Sequence, residues 1–372
     1  MIFLKRIENQ FLIIFILSLI LLYIFKNDFW LFLAVPIGNE NSFFNDLRMV
    51  QQWARLYEYY DNTEYVYNNS DLARLNYPKI WIIFSKFIEK EFLFYSYLVM
   101  SCLAYFYIFY RFIKKFNSYF FIYLFYSGSS LLALQRGNVE ILIFVILSLV
   151  IICKNVYIKK FLFSLAVIMK IFPVFGIQYF LLFKRNLYLT IVLAITCIIY
   201  FYLIKDQLNF IYMNSPHTGD GTYGSESIIL NLKKHYGLMF DYRYLSLFFI
   251  ISSISIYFLF FKKKLSYEKF KYEDYFFIGS GIFLFTFLIN SSHDYRLIFL
   301  FFCSPLILSL KSKNLKYLCL ISLIFTLELS KLIVLLGFFG GVMNVFFKII
   351  LFYLFSIISL DILVKNFNKI IK

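Results

Sequence analysis

"AVIMKIFPVFG", residues 166–176, places a lysine and a proline inside a run that otherwise looks ready to cross a membrane. A charged side chain in hydrocarbon is costly, and a proline interrupts helical hydrogen bonding. The reading of Lys170 and Pro173 therefore depends on what surrounds them.

The rest of the chain is as apolar as this stretch. Of 372 residues, 62% are hydrophobic, 23% aromatic and only 16% charged, with a mean hydropathy of +0.75. Soluble domains are far less apolar. Apolar stretches recur at 10–25, 92–113, 119–134, 139–153, 187–204, 244–261, 275–290, 297–310, 315–336 and 343–364. Each approaches the length that a hydrocarbon core of about 30 Å demands. A transmembrane barrel would instead show weak alternating segments of about ten residues. The expected fold is an all-α polytopic membrane protein, one integral-membrane domain over residues 1–372. Lys5 and Arg6 precede the first apolar run and no small-residue cleavage site follows it, so residues 1–25 read as an uncleaved first span.

The net charge of +16 raises the question of a nucleic-acid partner. Lys and Arg, however, gather in short loops beside apolar runs, which is the positive-inside pattern. The expected partners are membrane lipids and no nucleic acid. Cys102, Cys153, Cys197, Cys303 and Cys319 lie in apolar runs without metal-ligand spacing and read as free core thiols. The histidines, His217, His235 and His293, show no HExxH-like pairing. No metal and no cofactor is expected.

The basic clusters set a topology. Lys5/Arg6, Arg111/Lys114/Lys115, Lys154/Lys159/Lys160, Lys184/Arg185, Lys262–Lys264, Lys311/Lys313/Lys316 and the Lys365–Lys372 tail should face the cytoplasm. Alternating spans satisfy nearly all of them if segment 161–183 begins and ends on one side. A broken or re-entrant helix pair meets that condition. Its arms, 161–169 and 171–183, would rise about 13 Å and about 20 Å at about 1.5 Å per residue. Pro173 suits the first turn of the second arm, where a missing N–H costs nothing. A kinked single helix with a snorkelling lysine is the alternative. Two long external segments follow, 26–91 and 205–243, and loops of that length are usually functional or disordered.

Three clusters could carry chemistry. In "NSFFNDLRMVQQWARLYEYY", residues 41–60, Phe43, Phe44, Leu47, Val50, Ala54 and Tyr57 recur at three and four, predicting an amphipathic interfacial helix with Ser42 as N-cap. Asp46 falls in its first turn, as a general base at a cavity mouth or as a dipole-stabilised surface acid. In "LQRGNVEIL", residues 134–142, Gly137 can end one helix and Asn138 can cap the next. That helix start, with Arg136 and Lys170, would suit a phosphate, or else these are unrelated turns with solvated cations. In "NSSHDYRLIF", residues 290–299, His293 and Arg296 stand three apart and could bind phosphate or sugar, unless Asp294 neutralises Arg296. "GDGTYG", residues 219–224, matches G-x-G-x-x-G but lacks the strand and helix context of a dinucleotide site. Glu328 and Lys331, three apart in an apolar run, read as an ion pair.

The order of these parts resembles glycosyltransferase family 87 of the GT-C superfamily. An acid in a short helix after the first span is followed by "NYP" (Asn76–Pro78), "RGNVEIL", "LAVIMKIFPVF" before "KRN", and "SSHDYRLIFLFFCSPL". The similarity covers roughly residues 40–310. It implies a GT-C-like bundle of about 10–12 transmembrane helices, with an interfacial helix in the first external loop. It further implies an enzyme of the bacterial cytoplasmic membrane that moves a hexose, typically mannose, from a polyprenyl-phosphate sugar to a glycolipid or glycan acceptor on the external, periplasmic face. Asp46 is the base that the resemblance implies, and Arg136, Asn138, Lys170, His293 and Arg296 match positions expected to bind donor phosphate or sugar. Tyrosines and tryptophans in 53–81 could stack on sugars or form an interfacial belt. A polysaccharide polymerase using diphosphate-linked units, and a non-enzymatic lipid or sugar transporter, are the other readings.

Overall fold

A computed structural model describes residues 6–25, 44–60, 77–181, 187–214, 222–238, 240–265, 270–289 and 292–371. Nearly all of it is helical, and the protein is an all-α membrane protein. Among the described residues, Ile7–Phe25, Glu91–Phe116, Tyr242–Leu265 and Phe338–Asn366 are long and apolar enough to cross a bilayer. Gly128–Arg136 and Glu140–Ile152 would together make a fifth span, bent by 117°. Other expected spans are interrupted. Residues 119–134 divide into Phe120–Phe125 and Gly128–Arg136, and 315–336 divides at Glu328 into Lys313–Leu327 and Leu329–Leu336.

The helix ends follow local chemistry. Asn155 opens Val156–Met169 by accepting the Tyr157 and Ile158 N–H groups. Asn117 closes Glu91–Phe116 in the left-handed conformation (φ 48°), its N–H returning to the Ile113 carbonyl. The apolar run of 161–176 breaks at the lysine. The helix stops at Met169, Lys170 is extended (φ −155°, ψ 135°), and Phe172–Gly176 forms a 3-10 turn. Pro173 sits in the first turn of that 3-10 segment, where its missing N–H leaves no bond unmade. Lys184 and Arg185, the basic pair after this segment, lie outside the described residues, as do Ser42, Asn76, His217 and Gly219–Gly221.

The chain divides into two compact units. The first comprises 1–126, 130–174 and 188–216. In it Glu91–Phe116 packs on Glu140–Ile152 and on Ile7–Phe25, and Asn45–Tyr60 packs on Ile80–Phe87. Lipid tails are as apolar as leucine, so contact quality rather than dehydration must hold such helices together. Phe11, Tyr105, Phe106, Phe109, Phe125 and Phe144 supply it through stacked and edge-on rings. Tyr105 also bonds Ser130 at 2.7 Å.

The second unit comprises 127–129, 175–187 and 217–372. Its longest element, Phe338–Ile371, packs on Lys313–Leu327, Leu329–Leu336, Glu273–Ile289 and Tyr242–Ile256. Glu273–Ile289 in turn lies against the 3-10 segment Asp294–Cys303. Gly279 makes that approach feasible, since a Cβ there would stand 2.6 Å from the Phe299 carbonyl oxygen. Gly281 does the same for the Phe175 carbonyl, at 2.2 Å. Thr222–Tyr223 and Ser292–His293 form a two-residue antiparallel ladder. The described end of the "GDGTYG" stretch is thus paired antiparallel, unlike the parallel strand of a dinucleotide-binding unit. Residues 205–243, expected as a loop, carry the helices Lys205–Asn214 and Ser225–Tyr236.

Candidate functional site

The first unit gathers Asp46, Arg136, Asn138 and Lys170; His293 and Arg296 belong to the second. Asp46 is the second residue of Asn45–Tyr60, so the helix dipole favours its carboxylate. The buried face of this helix includes Asp46, Leu47, Val50 and Trp53. Gln51 anchors it by donating to the Ile88 and Glu89 carbonyls. Its N-terminus rests over the Arg136–Asn138 turn, where the Phe44 N–H donates to the Gln135 carbonyl at 2.9 Å. Gly137 permits this closeness. It is left-handed (φ 58°), and a Cβ there would stand 3.3 Å from Phe44.

That turn delivers two side chains to Asp46. Arg136 donates from Nε (2.9 Å) and Nη2 (2.7 Å) to Oδ1. Asn138 donates its amide N–H to Oδ2. The Asn138 side-chain oxygen Oδ1 meanwhile accepts the Glu140 N–H at 2.8 Å at the start of Glu140–Ile152. An ionised carboxylate offers about four acceptor positions. Two donors on Oδ1 and one on Oδ2 leave one position, on Oδ2. Asp46 is 9% exposed, whereas the Arg136 side chain is 39% exposed.

Lys170 is held separately. Its ammonium lies 2.5 Å from Glu140 Oε2 and 4.2 Å from the centre of the Tyr77 ring. Glu140 is fully buried and Lys170 nearly so. Aromatic contacts run from Tyr77 to Trp53 and Trp81. Trp81 donates from Nε1 to the Met169 carbonyl at 2.6 Å, satisfying an oxygen exposed by the end of the helix. Asp46, Asn138, Glu140, Lys170, Tyr77 and Trp53 thereby form one connected network that returns to the helix carrying Asp46. Each acid in it is met by a base, Asp46 by Arg136 and Glu140 by Lys170.

This arrangement differs from an open pair of cations awaiting a phosphate. Sequence reasoning missed Glu140, although the acid was visible at the start of an otherwise apolar helix. The dipole there is met by the protein's own carboxylate, and Lys170 pairs with it. The rule that an intramembrane charge needs a partner would have found it.

In the second unit, His293 pairs with Thr222 in the short ladder and stacks on Tyr295, with ring centres 5.2 Å apart. Arg296 donates to Ser292 Oγ at 2.9 Å. Asp294 does not neutralise it, because its Oδ1 accepts from the buried Lys348 at 2.7 Å. Glu328 and Lys331 form the expected pair at 2.9 Å, and Glu328 also accepts the Gly128 N–H. All of the cysteines are free thiols. No protein-family model, curated protein or solved structure matches this chain.

Proposed function

We propose that the protein is an inverting membrane glycosyltransferase. It moves a hexose, mannose in the first instance, from a polyprenyl-phosphate donor to a glycolipid or glycan acceptor at the external face of the cytoplasmic membrane. One observation carries this reading: Asp46 is a buried carboxylate, fixed by three donors, with a single acceptor position left on Oδ2. An acceptor hydroxyl donating there would point its oxygen in one direction. As that oxygen attacks the anomeric carbon, its proton passes to Asp46, the bond from anomeric carbon to phosphate oxygen breaks, and the electron pair leaves on the lipid phosphate. General-base assistance of this kind contributes about 10²–10⁴-fold. Arg136 links the two charge changes. When Asp46 accepts the proton, the guanidinium loses its counter-charge and turns to the phosphate that has just gained one. Lys170 and Glu140 brace the turn, and Trp53, Tyr77 and Trp81, which were expected to stack on sugars, are instead buried against one another and support the helix that carries Asp46. Asn138 orients Asp46. The order of motifs in the sequence, which resembles glycosyltransferase family 87 of the GT-C superfamily, points to the same assignment.

A transporter is the second reading. It is favoured by the charge-balanced buried pairs Glu140–Lys170 and Asp294–Lys348, since such pairs also mark ion and substrate pathways. Reconstituted vesicles separate the readings. Labelled polyprenyl-phosphate hexose should yield a new glycosidic product, and a polyprenyl-diphosphate oligosaccharide should not. Polymer from the diphosphate donor would favour a polymerase. Label accumulating inside vesicles without covalent change would favour transport.

A further inference from the structure

The second unit contains a cavity of about 440 Å³. This lies within the range of roughly 300–1,000 Å³ typical of small-molecule sites. It is bounded by the helices Ser225–Tyr236, Leu329–Leu336 and Phe338–Ile371. Its walls are largely apolar, with Ile228, Leu232, Ile333, Phe338, Val342 and Val345 among them. Its polar lining includes Asn344 and Lys348, one turn apart on the same helix and 0% and 2% exposed. Neither belongs to the network around Asp46.

The hydrogen bonding of Asn344 is lopsided. Its Nδ2 donates to the Phe325 carbonyl at 2.5 Å and to the Thr326 carbonyl at 3.1 Å, which fixes the orientation of the amide. Its Oδ1 is buried, and no described residue donates to it. An unmet acceptor in a dry setting is costly, and a ligand that donates to it removes that cost. Lys348 is already neutralised by Asp294 at 2.7 Å, and an ammonium has three N–H groups to give. The polar floor therefore offers an acceptor and spare donors with no net charge. A hydroxyl, which both donates and accepts, fits that floor. An anionic head would be opposed by Asp294.

We propose that this cavity binds a neutral single-chain lipid alcohol, its hydroxyl donating to Asn344 Oδ1 and accepting from Lys348, its chain lying along the apolar wall. The assignment stands apart from the glycosyltransferase reading and does not require it. Phe338 and Tyr236 are exposed, which suits a lipid tail continuing outward.

Gly341 supplies a clean test. It lines the cavity, and a Cβ added there would meet nothing within 4 Å. Gly341→Phe should fill the space while leaving Asn344 and Lys348 in place. The probe is a long-chain primary alkanol carrying a terminal diazirine, photolysed with the full-length protein in nanodiscs. Crosslinks should map to 222–236 and 329–348 and disappear in Gly341→Phe. The unlabelled alkanol should compete about tenfold better than its methyl ether, the loss of one buried hydrogen bond. Asn344→Leu, which deletes the acceptor, should abolish that preference, with thermal unfolding checking that the variant folds. Equal competition by alkanol and ether, stronger competition by the matching alkyl phosphate, or unchanged crosslinking in Gly341→Phe would each overturn the proposal.

Discussion

Asp46 and Lys170 look alike on paper, each an ionisable residue in an apolar setting, yet their surroundings differ. Asp46 retains one acceptor position and touches an exposed arginine, whereas Lys170 is enclosed by Glu140 and the Tyr77 ring. Breaking a buried pair by removing one partner costs about 3–5 kcal/mol, because a charge is stranded; replacing both by apolar groups is often neutral. Lys170→Met should therefore lower the thermal midpoint in detergent sharply, and adding Glu140→Leu should recover most of the loss. If the double variant is as unstable as the single one, the loss does not come from a stranded charge and this account of the pair is wrong. At this scale Asp46, Arg136 and Asn138 were legible, because each stands at a helix end where residue type and position agree. Glu140 and Lys348 were not, because each is a lone charge in an apolar run whose partner is far away in sequence.

The elements owe their boundaries to single residues. Lys170 ends a helix by adopting extended backbone, and Gly137 turns the chain through 117° between its flanking helices. Both breaks were readable from the placement of Lys, Pro and Gly. The 3-10 geometry of Asp294–Cys303 was not, although Ser304 and Pro305 mark the start of the short helix Ser304–Ser309 that follows it. Two glycines give a paired expectation. Gly281→Ala places a methyl 2.2 Å from a backbone carbonyl oxygen and should destabilise by about 1–3 kcal/mol, the usual cost of overpacking. Gly341→Ala meets open space in a helix and should stabilise by up to about 1 kcal/mol. Thermal unfolding of both variants, side by side, checks this; equal shifts would remove the close-packing account of Gly281.

At the scale of the whole molecule, composition made the membrane setting plain, and the exposed apolar faces agree with it: Leu17, Ile24, Met100, Leu203 and Leu259 all point outward from their helices. Outward apolar faces of this extent suit contact with lipid. The number of spans was less legible, because hydropathy counts apolar length and cannot see where a run is bent. Sidedness rests on the basic clusters. A cysteine placed at Lys233 should react with an impermeant maleimide added to intact cells, and one placed at Lys263 only after permeabilisation. The reverse pattern would turn the proposed external site inward.

The central claim is that one oriented carboxylate takes the acceptor's proton. Asp46→Asn keeps the shape of the side chain and a hydrogen-bonding partner for Arg136, but removes the base. In vesicles supplied with polyprenyl-phosphate hexose and acceptor, the turnover of this variant should fall by about 10²–10⁴-fold at unchanged protein folding. Transfer at the wild-type rate would show that Asp46 only anchors the turn, and the proposed chemistry would be wrong.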